Sequence, residues 1–416
     1  VTTSKPISTA LVSGASIAGP ALAHWLARAG VDVTVVERAP ELREGGHNID
    51  VRGAGREVLR RMGLEEAVLA HTTGEAGTRF IDDRGRTMGS FPASTSQTGG
   101  PTAEVEVMRG RLSRLLADSC EGRPGGVEWR FGDQVAELDD DGNGVDVTFA
   151  SGAQERYDVV VLAEGLRSRT RQQVFSSDGS TRSAHVRELG AYCAYLTLPR
   201  EPGDDDYWNW QLLGRGRSAH LRPDGDGGTN GLLTFLSDLP GLDELEPDAV
   251  ALVVQRLYAG TGPTGERLAA ALSTQPYYFE ALGQAKLPRW SQGRVVLAGD
   301  AAHCASPVSG MSTTLAVVGA YVLAGELTAP GASLASALEG YERRLRPLVD
   351  AAQNLPPGTP RLGNPRRTAE IRALGALVGL ASSRAVQRLK LGERLISPPA
   401  DAVDLPRYEH LEVAPV

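Results

Sequence analysis

The chain is poor in the residues that mark several function classes. Only three cysteines occur among its 416 residues. Cys120, Cys193 and Cys304 lie far apart, so they offer neither metal-ligand spacing nor a disulfide framework, and an odd set of isolated thiols suits a reducing cytoplasm. Aromatic residues make up only 5% of the chain, so any local cluster of them carries information. The longest apolar run, over 315–327, contains Glu326 and is shorter than the ~20 residues a bilayer demands. The opening residues have neither an apolar signal core nor a cleavage site. Lys and Arg number 43 against 51 Asp and Glu and form no basic stripe, which argues against a nucleic-acid surface. No internal repeat is visible. These exclusions leave a soluble, cytoplasmic globular protein without a membrane or nucleic-acid partner, long enough for one large core or two joined ones.

What is present is concentrated over residues 9–38. A short apolar run at 9–13 and a β-branched run at 31–36 read as strands. Between them Leu22, Trp25, Leu26 and Ala29 share one face of a helix that Gly30 stops, with Pro20 near its start. Strand, turn, helix and strand make a βαβ unit. In its turn Gly14, Ser16 and Gly19 occupy the three glycine positions of G-x-G-x-x-G. The first permits the tight turn and the third lets the helix approach the strand. The middle position brings backbone N–H groups to a pyrophosphate at the helix N-terminus. Glu37 closes the second strand, with Arg38 beside it, where a carboxylate binds ribose hydroxyls and disfavours a 2′-phosphate. The ligand predicted here is FAD or NAD rather than NADP.

Further along, the pattern predicts a helix over 55–62 closed by Gly63, a hairpin over 80–88, a Ser/Thr/Gly/Pro-rich loop over 92–102 and a helix opened by Arg109. Strands follow at 127–131, 135–138 and 145–149, then a largely apolar one at 157–163. From about 176 to 276 the texture is antiparallel, with strands at 190–198, 207–213 and 232–237. The cluster Tyr192, Tyr195, Tyr207, Trp208 and Trp210 lies there, either lining a substrate pocket or filling the sheet's core. Gly260, Gly262 and Gly265 repeat the glycine spacing but follow a helical run, so they read as a helix stop and not as a second nucleotide turn. Parallel-sheet character returns at 294–298. Gly299 and Asp300 end that strand, Pro307 and Gly310 follow, and Met311 opens a helix. A helix over 334–348, a Pro/Gly linker over 356–365 and a basic amphipathic helix over 366–396 complete the chain, the last expected to pack across both domains.

Three separated motifs align in the order of one family. They are the Gly14–Gly19 turn with Glu37, then Ala163-Glu164-Gly165-Leu166-Arg167-Ser168, and finally Leu297-Ala298-Gly299-Asp300-Ala301-Ala302-His303 followed by Pro307 and Gly310. On these the chain resembles the class A FAD-dependent aromatic hydroxylases, with p-hydroxybenzoate hydroxylase as type case, and above all the tetracycline-inactivating monooxygenases. The chain departs from the family pattern at Ser16, Glu164 and Ser312.

The resemblance implies an α/β fold: a Rossmann-like FAD-binding domain over 1–75, 103–175 and 277–355, a mostly antiparallel substrate domain over 76–102 and 176–276, and a C-terminal helix and tail over 356–416. It implies tight FAD, NAD(P)H as transient reductant, and oxygen transfer from a flavin C4a-hydroperoxide to an aromatic or polyketide-like secondary metabolite. A FAD-retaining, non-redox cyclase is the alternative. Cofactor contacts would come from Gly14, Ser16, Gly19, Glu37, Arg38, Arg109, Glu164, Gly165, Gly299, Asp300, Pro307, Gly310, Met311 and Ser312. Tyr192, Trp208, Trp210, His220, Phe235 and Pro307 would line the substrate site, with His220 and Tyr192 as candidate bases. No metal is called for, and a monomer or weak dimer is expected.

Overall fold

The protein is described by a computed structural model covering residues 7–43, 45–93, 105–175, 185–383 and 404–412. Two sheets organise it. The first has six strands in the order Ser291–Gln292, Val295–Leu297, Val159–Leu162, Thr9–Ser13, Asp32–Glu37 and Val127–Phe131. All its pairings are parallel except the outermost, Ser291–Gln292 on Val295–Leu297. Central parallel strands are covered on both faces, which is why 159–162 reads Val-Val-Val-Leu and is wholly buried.

The helix Ala18–Arg28 follows the first strand and ends as its sequence demands. Gly30 takes φ +76°, and the N–H groups of Gly30 and Val31 donate to Ala27 O and Leu26 O at 2.9 and 3.1 Å. That pair of bonds is a Schellman stop, which a left-handed glycine makes cheap. The helix Ser312–Leu327 packs beside it. Fourteen of its 16 residues are buried, so it is apolar all round because no side of it meets water.

The second sheet has seven strands: Tyr277–Ala285, Val186–Pro199, Gly228–Leu236, Arg217–Pro223, Tyr207–Gly214, Gly77–Ile81 and Thr87–Pro92. Every pairing is antiparallel except Tyr207–Gly214 with Gly77–Ile81. One face packs on the helices Pro247–Tyr258 and Pro263–Ala271. Gly260 and Gly262, at φ +71° and +95°, connect those two helices, so the repeated glycine spacing is the helix stop it was read as. On the other face His47 stacks on Tyr195 and Arg222 pairs with Glu106.

Three expectations need adjustment. The strand Tyr277–Ala285, placed by sequence in the cofactor domain, is the edge strand of the antiparallel sheet. The strand Arg217–Pro223, which carries His220, went unread. The last described helix, Thr368–Ala381, packs on the edge strand Thr87–Pro92 and on Tyr207–Gly214; it runs from an N-cap at Arg367 to a C-cap at Ser382, short of the expected 366–396, and residues 384–396 lie outside the described residues, as does most of the loop over 92–102. Among the described residues no helix is long and apolar enough to cross a membrane.

Candidate flavin site

The register of the parallel sheet brings the three motifs together. Ser13 pairs with Leu162 and Val36, and Leu162 pairs with Leu297, so the chain leaves the sheet at one level from four neighbouring strands. Loops at the carboxyl ends of such strands are where α/β sheets bind ligands.

Close packing at this edge dictates the glycines. Gly14 has φ +111°, and a Cβ there would stand 2.4 Å from Ala163 O. A Cβ on Gly19 would stand 1.9 Å from Gly14 O, and one on Gly299, at φ +59°, would stand 2.7 Å from the Ala18 Cβ. Gly165 is also left-handed, at φ +81°, but open space surrounds it.

Ser16 at the middle position is engaged from outside the turn. Arg109 opens its own helix and donates from Nη1 to Ser16 Oγ at 3.0 Å and from Nη2 to Gly45 O at 2.9 Å. One turn on, Ser113 Oγ donates to Ser16 O at 2.8 Å. Glu37 accepts the N–H groups of Ala15 and Ala39, each at 3.0 Å, and Arg43 Nη2 at 3.2 Å. Burial pushes its carboxyl upward, but those donors outweigh burial and hold it below its ordinary value. Arg38 beside it is exposed.

Glu164 turns inward. Its carboxylate accepts Ser13 Oγ at 2.7 Å, Ser168 Oγ at 2.6 Å and Thr170 Oγ1 at 2.9 Å, so the acid cross-braces two strand ends. Asp300 starts the short helix Asp300–His303, and crowding by protein raises its carboxyl despite a hydrogen bond with Cys304.

Next, Ser306 adopts φ +75°, a strained value for a residue with a side chain, and Pro307–Ser309 form a 3-10 turn ending at Gly310, φ +64°. Met311, fully buried, donates its N–H to Ser309 Oγ at 3.1 Å. Ser312 then begins the long helix; among the described residues no side chain caps it and its own buried Oγ has no partner. The first N–H groups of such a helix have no intrahelical acceptor.

These features fit FAD. Three glycines that let the backbone pack too closely for a Cβ, an uncapped helix start with an orphaned hydroxyl, and carboxylates at two strand ends supply the close approach, donors and acceptors that a pyrophosphate, a ribose, a ribityl chain and a flavin pyrimidine edge require.

Alternation along the strands sorts the aromatic residues of the second sheet. Trp208, Trp210 and His220 lie on the open face with Phe80; Trp210 stacks on Phe80 and on Trp208, each at 5.3 Å between centroids. Tyr192 and Phe235 lie on the opposite face, in the core with Val254, Tyr258 and Leu268. Tyr192 stacks on Phe235 and Phe279 and donates to Leu239 O at 2.8 Å. Their assignment to the substrate site is therefore corrected, and so is Tyr192 as a base: odd and even positions of one strand face opposite ways.

His220 is also withdrawn as a base. Trp208 Nε1, a donor only, gives its hydrogen to His220 Nδ1 at 3.1 Å, which leaves the ring proton on Nε2 facing Ser218 Oγ at 3.1 Å. Both nitrogens are used within the protein, and burial lowers the ring to about 3, so it stays neutral.

Sequence reasoning named Tyr195 only as one of the aromatic cluster and missed the groups that join it on the open face. Tyr195 OH donates to Glu280 Oε1 at 3.0 Å, Tyr278 OH lies 3.3 Å from Oε2, and His47 stacks on Tyr195 at 4.3 Å. Asn364, from the linker, accepts Ser218 Oγ and Thr234 Oγ1 at 2.9 and 2.7 Å. Strand parity applied to Tyr195 and Tyr278 would have found the first cluster; nothing local marks Asn364.

The comparisons agree with this geometry. Residues 8–354 match the family described as an FAD binding domain. The flavin-dependent monooxygenase eupH of Phoma sp is 34% identical over 408 residues, which cover 91% of this chain and 93% of that protein. The tetracycline destructase Tet(51) superposes with a TM-score of 0.77 at 27% identity, covering 97% of this chain and all of that one (100%). Klebsiella pneumoniae HpxO, solved with FAD and uric acid, shares the fold at a TM-score of 0.69 and 23% identity, covering 93% of this chain and 97% of that one. The chain therefore belongs to the FAD-binding family of class A flavoprotein monooxygenases and is a flavin-dependent monooxygenase.

Proposed function

We propose that the protein uses NAD(P)H and dioxygen to hydroxylate an aromatic or polycyclic small molecule. The observation that carries this reading is the aromatic wall of Phe80, Trp210 and Trp208 on the sheet face turned toward the flavin site. When bound, FAD supplies hydride acceptance and oxygen activation. The chain's own part is to bind, orient and keep out water. Gly14, Ser16 and Gly19 would seat the pyrophosphate, with Arg109 beside it; Glu37 would take the ribose and Asp300 the ribityl hydroxyls. The start of the helix Ser312–Leu327 would favour negative charge on the flavin's pyrimidine edge. A planar substrate would stack on the indoles, where offset rings gain about 0.5–1.5 kcal/mol beyond area burial.

The test is reduction of the purified yellow protein by NADH or NADPH without air. Bleaching, faster with some members of a panel of phenolic and polycyclic compounds, and return of colour with a product heavier by one oxygen atom are expected. A yellow protein that neither nicotinamide bleaches overturns the reading. Because His220 is neutral and fully engaged, His220→Gln is expected to leave the shape of the pH–rate profile unchanged while altering KM; loss of a limb in that profile would restore His220 as a base.

A further inference from the structure

Glu280 is an acid that neither the motifs nor the proposed reaction employs. It projects from the edge strand Tyr277–Ala285 onto the open face of the antiparallel sheet, opposite Cys193. Tyr195 and Tyr278 flank it, and these differ in access: Tyr195 is buried, whereas Tyr278 is 54% exposed. Tyr195 is in turn stacked on His47, whose neighbour Gly46 leaves no room for a Cβ beside Arg109 Nε (2.7 Å). The carboxyl of Glu280 is thus linked through Tyr195 and His47 to the loop that packs against Arg109, and it lies within electrostatic reach of Arg109, Asp300 and Arg167. It is partly open to water yet densely surrounded by protein. Crowding raises it to about 7, against the pull of the Tyr195 hydroxyl and with the push of Asp300.

We infer that Glu280 is a member of the FAD site contributed by the substrate-facing sheet, and that it binds a proton when FAD binds. The inference rests on the FAD site described above. FAD would bring a pyrophosphate beside Arg109, the cation within electrostatic reach of Glu280, while Asp300 already stands on the acid's other flank. An ionised Glu280 would add a further negative charge there, whereas a protonated one offers an O–H and no charge. Thermodynamic linkage makes the effect reciprocal: bound FAD holds the proton on Glu280, and a proton on Glu280 tightens FAD.

The other groups facing this space keep their state near neutrality. His47, lowered to about 3 by burial and by Arg109 and Arg222, is neutral; burial raises Cys304, Cys193, Tyr195 and Tyr278, which stay protonated. Arg109 and Arg167 are cations. Asp300 is raised from a carboxylate value and Glu280 is the acid that titrates near neutrality.

The experiment titrates FAD into the FAD-stripped full chain at about pH 6 and about pH 9, following flavin fluorescence, and measures proton uptake by calorimetry in two buffers of different ionisation enthalpy. The wild type is expected to bind FAD about tenfold more tightly at the lower pH and to take up protons on binding near neutrality, an effect of one pKa unit. Glu280→Gln should bind FAD with little pH dependence and no proton uptake. Tyr278→Phe, a half-exposed position that should fold normally, removes a hydrogen bond that favours the ionised acid and should move the midpoint to higher pH. Wild-type affinity that is the same at both pH values, or Glu280→Gln retaining the full pH dependence, overturns the inference and leaves the proposed reaction standing. Failure of every variant and the wild type to bind FAD at either pH overturns both.

Discussion

Gly19→Ala is expected to give a colourless and weakened protein. The added Cβ would lie 1.9 Å from Gly14 O, a backbone atom and not the yielding end of a side chain. Relief requires moving either the Gly14 turn or the helix Ala18–Arg28. The turn is pinned by the Gly14 N–H to Val36 O bond of 2.8 Å, and Ala21, Leu22, Ala23, Trp25 and Leu26 of the helix are wholly buried. Overpacking of this kind costs about 1–3 kcal/mol. The functional loss should be larger, because the movement opens the gap between the helix N-terminus and the turn, where the pyrophosphate would sit. Flavin absorbance per polypeptide and the thermal midpoint read the two effects separately. Gly165→Ala is the control: its φ of +81° carries strain, but nothing lies within 4 Å of the new Cβ. A cost of about 1–2 kcal/mol from that strain is expected there, with a smaller fall in flavin content than in Gly19→Ala. Full FAD content and an unchanged midpoint in Gly19→Ala would remove the turn from the cofactor site.

The parts legible in the sequence are those whose chemistry is written locally. The turn at Gly14–Gly19 has its own spacing, Glu37 has its own distance from it, and the buried strand 159–162 announces itself by composition. Their meeting at one sheet edge follows from the parallel register, which the βαβ pattern already implies. What was not legible depends on parity and partners. Tyr192 and Tyr195 both look like pocket residues in a list of aromatics; three positions apart on one strand, they face opposite ways, and only the strand's register with Phe235 and Leu232 reveals which is which. Residues 277–285 read Tyr-Tyr-Phe-Glu-Ala-Leu-Gly-Gln-Ala, with no clean alternation, because one end of this edge strand is buried on both faces and the other lies partly open. Its Glu280 and Tyr278 were invisible for that reason. Glu164 reads as a cofactor acid by its place in a motif, but its carboxylate accepts hydroxyls from Ser13 on another strand, from Ser168 of the same motif and from Thr170 just past it, which the motif's spacing does not show.

The second large effect is expected at Arg222. It lies on the open face of the antiparallel sheet, nearly buried, and donates from Nε to Glu75 Oε2 at 2.9 Å and from Nη2 to Glu106. Both carboxylates are themselves almost fully covered, at 1% and 3% side-chain exposure, so water does little to relieve them. Thr73 Oγ1 also donates to Glu106, at 2.7 Å, and Asn48 Nδ2 at 2.5 Å. Burial pushes Glu106 upward and Arg222 is the main force pulling it back. In Arg222→Met that force is gone while the side chain's volume is roughly kept. Removing one partner of a buried ionic group costs about 3–5 kcal/mol, because the remaining charges must be neutralised or carried uncompensated. The sign of the pH dependence follows. With the arginine absent, the folded-state value of Glu106, already raised by burial, rises further above the unfolded value of about 4.3, so the folded variant holds a proton the unfolded chain releases. Its stability deficit should therefore be smallest near about pH 5 and grow as pH rises toward about 8. Urea unfolding of wild type and variant at those two pH values measures this; a deficit under about 1 kcal/mol, or one equal at both, would mean that the glutamates do not depend on Arg222. The same substitution reaches the site. The guanidinium lies 4.2 Å from the Trp208 ring, and Trp208 holds His220 and stacks on Trp210. Freed of the cation beneath it, the indole loses about 0.5–2 kcal/mol of anchoring. Conditions that keep Arg222→Met folded should accordingly show weaker substrate binding with FAD content unchanged.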